Sequence, residues 1–148
     1  MTQREKFEIR EVEKGSPYLD EVERLFQSEW SDFQLSNDYN QNANLPAVIV
    51  ATLDNELVGG LAFSRYKEPN RDTEVIWINA VFVKPEQRGK GLAKTLIQAG
   101  VRQASLFKQA YLYAYTNVSQ LYQGIGWDGV DTESEPNHKV MSIKTYAD

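Results

Sequence analysis

Cysteine is absent from the 148 residues, and histidine occurs once, as His138. Without thiols there can be no disulfide, no thiolate-bound zinc and no cysteine nucleophile, and no metal site is expected. No window approaches the ~20 consecutive apolar residues that a membrane-spanning helix needs. The opening residues Met-Thr-Gln-Arg-Glu-Lys hold no apolar core of a secretory leader, so a cytoplasmic protein is expected. On that expectation the glycosylation-like triplet Asn117-Val118-Ser119 carries no weight. Repeats, low-complexity tracts and linkers are lacking, and one domain over residues 1–148 is the natural reading. Positive charge is in the minority, with 16 Lys and Arg against 21 Asp and Glu, a net charge of −5 and a pI near 5.0. Such a chain is a poor general binder of nucleic acid. Neither nucleic acid nor a membrane is expected as a partner, and the balance mildly favours a cationic ligand.

What is present reads as alternating strands and helices. Phe7 to Val12 alternates apolar and polar, the pattern of a half-buried strand. Gly15-Ser16-Pro17 breaks it. Tyr18, Leu19, Val22, Leu25, Phe26 and Trp30 then form a helical stripe. Ser31 to Asn42 is polar, with Phe33, Leu35 and Tyr39 interspersed, and reads as a short helix plus loop. Residues 47–53, 57–66 and 74–83 are three apolar runs separated by turns, an antiparallel meander. Gly59-Gly60 inside the second predicts a bulge or a close backbone approach. A long helix from Leu92, a strand over 111–115, a short helix over 119–124 capped by Thr116 or Asn117, and a closing hairpin over 127–132 and 139–145 complete the order. The strands at 74–83 and 111–115 are joined through a helix, so they should be parallel neighbours.

The densest signal lies between Trp77 and Phe107. An apolar run ends at Val83, and Pro85 cannot extend a ladder. Arg88-Gly89-Lys90-Gly91 follows, then Leu92, Ala93, Leu96, Ile97, Gly100, Ala104 and Phe107 on one helical face. Strand, glycine turn and helix make a seat for an anion. The first helical N–H groups have no intrahelical partner, and the helix dipole adds positive potential there. Arg88, Lys90 and Lys94 add charge, with Lys84 just upstream. The Walker pattern is absent. A literal Gly-x-Gly-x-x-Gly occurs at Gly124-Ile125-Gly126-Trp127-Asp128-Gly129, but it follows a helix and precedes a strand. That is the reverse of a dinucleotide site.

The run Val81-Phe82-Val83-Lys84-Pro85-Glu86-Gln87-Arg88-Gly89-Lys90-Gly91-Leu92-Ala93 resembles the acetyl-CoA signature of the GCN5-related N-acetyltransferase (GNAT) superfamily, and the order of elements is similar over essentially the whole chain. The resemblance implies a single α/β domain. Its sheet should be mixed and mostly antiparallel, of six to seven strands, with helices on both faces. It implies that acetyl-CoA is the cofactor, held through Val81, Phe82, Val83, Arg88, Gly89, Lys90, Gly91, Leu92, Ala93 and Asn117. The strand would pair with pantetheine and the turn amides would hold the pyrophosphate. The activity implied is acyl transfer to a primary amine, of a small molecule or a peptide. With no cysteine relay, direct attack on the thioester is favoured. The alternative is an acyl-CoA sensor or partner module with little turnover. A nucleotide-phosphate domain of another kind is a third reading. A homodimer is left open.

Direct transfer needs a neutral amine, a donor for the developing oxyanion and a proton for the departing thiolate. Tyr122 lies in Tyr-Gln-Gly-Ile-Gly-Trp, similar to the family segment whose Tyr faces the sulfur, and is the candidate acid. The base is less defined. Relatives often carry Glu or Asp at positions corresponding to Asn79 or Ala80, and here neither is acidic. Asn79 could orient a water or bind acceptor. Glu74 is further back on the same strand. His138 is the other candidate, since imidazole ordinarily titrates near ~6.5, and a water chain would also serve. Relatives wall the acceptor site with the loop after the first helix, which points to Trp30, Asp32, Phe33, Asp38 and Tyr39. These residues suit an ammonium group, or equally a core with solvated acids. Tyr111, Tyr113 and Tyr115 share a strand face and read as packing.

Overall fold

The computed structural model describes residues 7–13, 15–35 and 44–145. The alternating run at the start is strand β1 (Phe7–Val12). Helix α1 (Pro17–Gln27) starts where Ser16 Oγ accepts the Tyr18 N–H at 3.2 Å and Pro17 occupies the first turn. Strands β2 (Val48–Leu53), β3 (Glu56–Lys67) and β4 (Glu74–Val83) form the expected meander. A single turn of tight helix at Pro85–Gln87 leads to α2 (Leu92–Ser105). Strand β5 (Tyr111–Thr116), helix α3 (Ser119–Gln123) and strands β6 (Asp128–Val130) and β7 (Lys139–Lys144) follow.

The seven strands make one sheet in the order β1-β2-β3-β4-β5-β7-β6. Every neighbouring pair is antiparallel except β4 and β5, which are parallel as their helical connection requires. In the closing hairpin it is the second arm, β7, that pairs with β5, leaving β6 at the edge.

Alternation along the strands builds two cores. Ile49 and Ala51 of β2, Leu61 and Phe63 of β3, and Ile76 and Ile78 of β4 pack with Leu96 and Ile97 of α2. Val48, Val50 and Ala62 point the other way, onto Val22, Leu25 and Phe26 of α1. Helices therefore cover both faces, as the family resemblance implies. Gly60 is where α1 comes closest: a Cβ there would stand 2.5 Å from Val22 Cγ2. The paired glycines thus mark a close approach, and a shift of register beside them leaves Val58 as an extra residue opposite β2.

A second surplus residue matters more. Ala80 faces Ala62 and Ile78 faces Phe63, so Asn79 is extra. Strand side chains alternate with period two, yet Ile76 and Ile78 lie in the α2 core while Ala80 and Phe82 lie in the α1 core. The bulge reverses the strand's sidedness and turns β4 at that point.

Candidate active site

The turn at Asn79 coincides with the end of pairing between the parallel strands. The β4–β5 ladder has two rungs, Trp77 with Tyr113 and Ile78 with Ala114. Beyond them β4 continues on β3 as far as Val83 opposite Gly59. Its other edge, Asn79 to Val83, has no strand partner among the described residues. Val81, Phe82 and Val83 therefore stand on an open edge. Arg88 closes one of its carbonyls: Arg88 Nε donates to Val83 O at 2.9 Å, and the guanidinium lies 5.3 Å from the Phe82 ring centre. Among the described residues its two terminal nitrogens make no hydrogen bond.

The edge leads to the start of α2. Gly91 caps the helix at φ +81°, and Gly89 has φ +82°. Both lie in the left-handed region that costs an L side chain roughly 1–2 kcal/mol. A Cβ at either would meet nothing within 4 Å, so the turn demands glycine for its backbone angle and not for room inside the protein. No side chain caps the helix and no acid occupies its first turn. The N–H groups of Gly89, Gly91, Leu92 and Ala93 donate no bond among the described residues. Leu92 itself is core, and Ala93 packs at its margin. Lys94 is exposed. Lys84 Nζ is 3.5 Å from Glu56, and Lys90 Nζ donates to Gln87 Oε1 at 2.9 Å. The concentration of unclaimed amides beside an open strand edge suits an anionic ligand with an extended polar arm.

Tyr122 lies on the α2 side of the sheet, in the same core cluster as Val83, Leu92 and Ala114. It meets Trp127 edge-on with centroids 5.0 Å apart, and Trp127 N donates to Tyr122 O at 3.1 Å. Burial pushes the phenol up to about 12. Its hydroxyl has no hydrogen-bond partner among the described residues. The sealed polar atoms without partners there are Thr52 Oγ1, Trp77 Nε1 and Trp127 Nε1, so the Tyr122 hydroxyl is not closed off.

Asn117 is exposed in the bend between β5 and α3. It does not cap the helix. Val118 occupies the N-cap with no side-chain bond, and Thr116 Oγ1 accepts from Val118 N at 2.9 Å, holding the bend rather than the helix. The capping expectation fails because the N-cap falls at Val118, one residue past Asn117 and two past Thr116.

Asn79 and His138 lie on the opposite side from Tyr122. Asn79 is exposed and lines a cavity of about 830 Å³ on the α1 side of the sheet, beyond that helix. His138 stacks on Tyr115 at 5.1 Å, and its Nδ1 is 3.0 Å from Pro136 O. Tyr115 lines the cavity, so His138 sits one ring behind its wall. Glu74 pairs with Arg65 at 3.5 Å at the far end of β4.

Of the residues expected to wall the acceptor site, Trp30, Asp32 and Phe33 are described. Trp30 and Phe33 cluster with Phe26, and Trp30 meets Phe82 edge-on at 6.3 Å. Trp30, Asp32 and Phe33 do not line the large cavity. Asp38 and Tyr39 lie outside the described residues. Among the residues that wall that cavity are Tyr66, Glu68, Trp77, Tyr115 and Glu133. None of these stood out as site residues in the sequence. The signal available was the antiparallel register, which puts Ser64 opposite Trp77 and brings Tyr66 within 6.2 Å of it. Tyr113 is packed, as expected: it lies 5.3 Å from Trp77, and its hydroxyl donates to Glu68 Oε2 at 3.1 Å. Burial first, then the Glu68 carboxylate, raises its pKa to about 12.

A family model described as Acetyltransferase (GNAT) family matches residues 8–126. Solved structures of similar fold include the GNAT family N-acetyltransferase YhbS of Escherichia coli in complex with CoA. It has TM-score 0.74 and 19% identity, covering 99% of this chain and 85% of that one. The aminoglycoside N-acetyltransferase AAC(6')-Iy in complex with CoA gives 0.72 and 22%, covering 91% and 95%. Arabidopsis thaliana Naa50, bound to the bisubstrate analogue CoA-Ac-MVNAL, gives 0.70 and 16%, covering 93% and 98%. No curated protein sequence matches the chain.

Proposed function

The chain belongs to the GNAT acetyltransferase family, and from that premise we propose that residues 1–148 form a cytoplasmic, acetyl-CoA-dependent N-acetyltransferase whose acceptor is a primary amine. The observation that carries this is the two-rung β4–β5 ladder, whose open β4 edge runs into the uncapped start of α2.

The residues present fit coenzyme A. Unclaimed N–H groups at Gly89, Gly91, Leu92 and Ala93 offer the diphosphate a main-chain seat with no carboxylate to repel it. The free edge of β4 offers an extended arm the pairing that a neighbouring strand would make. Acetyl-CoA supplies an acetyl group already activated as a thioester. Neighbours of known structure hold CoA, among them YhbS and the aminoglycoside enzyme.

The chain's own residues divide the remaining work across the sheet. Tyr122, with its pKa pushed up to about 12, keeps its proton at neutral pH and can give it to the departing sulfur. Asn79, at the bulge, is placed to orient the incoming amine or a water. His138 stands behind Tyr115 and would act on the amine through water. A thiolate is already a fair leaving group, since a thiol titrates near ~8.5, so positioning carries more of the rate than proton donation does.

Asn79 also favours a second reading. No carboxylate stands at the bulge, and a sensor that keeps the cofactor seat without turnover would need none. Thiol release from acetyl-CoA across a panel of amines decides between the two. Release accelerated by at least one amine supports the enzyme. Binding of CoA with no amine-dependent release supports the sensor. Stabilisation by ATP or NAD and none by CoA overturns both.

A further inference from the structure

The cavity of about 830 Å³ opens at Asn79, where β4 parts from β5, and runs toward the β3–β4 turn. Its two ends differ in chemistry from its middle. At the split stands the Asn79 amide. At the turn stand Glu68 and, from the β6–β7 loop, Glu133. Between them the wall is Trp77, Ile78 and Val140. Asn79 lies five residues from Glu74, the partner of Lys67 at the end of β3, a span of about 17 Å of strand. Asn70 Nδ2 donates to Asp131 O at 3.0 Å and ties together the two loops that flank the far end.

The charges at that end do not cancel evenly. Arg65 and Lys67 also line the cavity, but Arg65 is held by Glu74 at 3.5 Å and Lys67 by Asp72 at 3.2 Å. Glu68 accepts the Tyr113 hydroxyl and has no cation within ion-pair distance among the described residues, although Arg71 is near enough to be felt at Tyr113. Glu133 likewise has none there. Tyr66, 67% exposed, stands beside them, and Tyr115, 43% exposed, lines the cavity with one face covered by His138. Carboxylates and aromatic faces together attract an ammonium group. A peptide would bring backbone amides against the Trp77–Val140 stretch, where its polar groups would go unpaired. A polymethylene chain would not.

We propose that this cavity takes an elongated aliphatic diamine, its reacting amine at Asn79 and its second ammonium between Glu68 and Glu133. The assignment rests on the acetyltransferase reading and names its acceptor. In the transfer the amine nitrogen forms the bond to the acetyl carbon and the carbon–sulfur bond breaks. One amine proton passes to solvent, the sulfur leaves with the proton of Tyr122, and the phenolate left behind takes a proton back from solvent. No further reactant is needed.

Calorimetric titration in the presence of CoA tests it, with 1,8-diaminooctane and octylamine, chains of the same length that differ by one terminal ammonium. The diamine should bind about tenfold tighter, the effect of one added charge pair at a partly enclosed site. The E68Q/E133Q double variant should bring the two ligands to within about twofold. The amide oxygen that replaces the carboxylate of Glu68 can still accept the Tyr113 hydroxyl, so the fold is kept. Equal binding of the two ligands, or a preference that survives the double substitution, overturns the assignment. So does tighter binding of a peptide amine. Thiol release from acetyl-CoA, measured on the same samples, separates the two readings. A diamine preference without thiol release keeps the cavity assignment and removes the catalytic reading. Turnover of another amine without diamine binding does the opposite.

Discussion

Arg88 reaches back five residues to hold the carbonyl of Val83, at 2.9 Å, with its guanidinium over Phe82. The contact fastens the glycine turn to the end of the open strand edge, so one side chain sets the angle between the two parts of the proposed cofactor seat.

Arg88→Ala should therefore weaken CoA by about tenfold, through lost preorganisation and lost charge, a change of ~1.4 kcal/mol. Arg88→Lys should not restore it, because an ammonium lacks the planar fork that bonds and stacks at once. Titration calorimetry of the two variants checks this, and full recovery by lysine would assign the effect to charge alone.

Gly91→Leu separates backbone strain from ligand contact. The left-handed φ should cost roughly 1–2 kcal/mol of stability, visible as a lower Tm without ligand. Space around the position is open, so the protein should still fold. The thermal shift on adding CoA should vanish, because the new side chain occupies the face of the turn. A shift equal to wild type would remove the turn from the site.

Tyr122→Phe should slow turnover by about 10²-fold, at the lower end of general-acid effects, with CoA affinity nearly unchanged. Its hydroxyl has no partner among the described residues, so stability should not fall. The pH dependence has a definite sign. The folded pKa, about 12, is raised above the ordinary 10. The neutral phenol's contribution is therefore complete below pH ~10 and fades as pH climbs through the folded value. Activity should show no limb from this group between pH 6 and 9. A wild-type rate in the phenylalanine variant would remove the acid role.

Gly60→Ala tests the packing of α1 on the sheet. The added methyl would stand 2.5 Å from Val22 Cγ2 and 3.3 Å from Phe26 Cζ. Overpacking of this kind costs typically 1–3 kcal/mol. Val22→Ala in the same chain should recover part of that loss, and a double-mutant cycle by denaturant unfolding measures the coupling. Strict additivity would mean that the helix moves away instead.

Much of the fold was legible because its signals are local. The apolar run into Val83, the Pro85 stop and the two glycines lie within a dozen residues, and the α2 stripe follows at once. The parallel pairing of β4 and β5 followed from connection length. Asn79 was legible only as a missing carboxylate. Nothing at that position, neither glycine nor proline, announces a bulge, since the surplus residue is defined by register against β3. The cavity was illegible for the same reason. Glu68, Tyr115 and Glu133 come from three separate stretches of the chain and reach one cavity only through strand pairing. The helix-capping expectation at Asn117 failed on a one-residue offset, the usual scale of error at helix ends.

The extra residue at position 79 works as a frameshift in the sheet's two-sided pattern. A chain shortened by that one residue would set Ala80 directly after Ile78, opposite Ala62 and Phe63 rung for rung. Every flanking side chain would keep its side, Phe82 against Trp30 included, but the bend would go and the seam beside β5 could zip shut. A single deletion would thus erase the slot while leaving both cores in step, so this protein's capacity to hold an extended ligand comes apart from its stability at one asparagine.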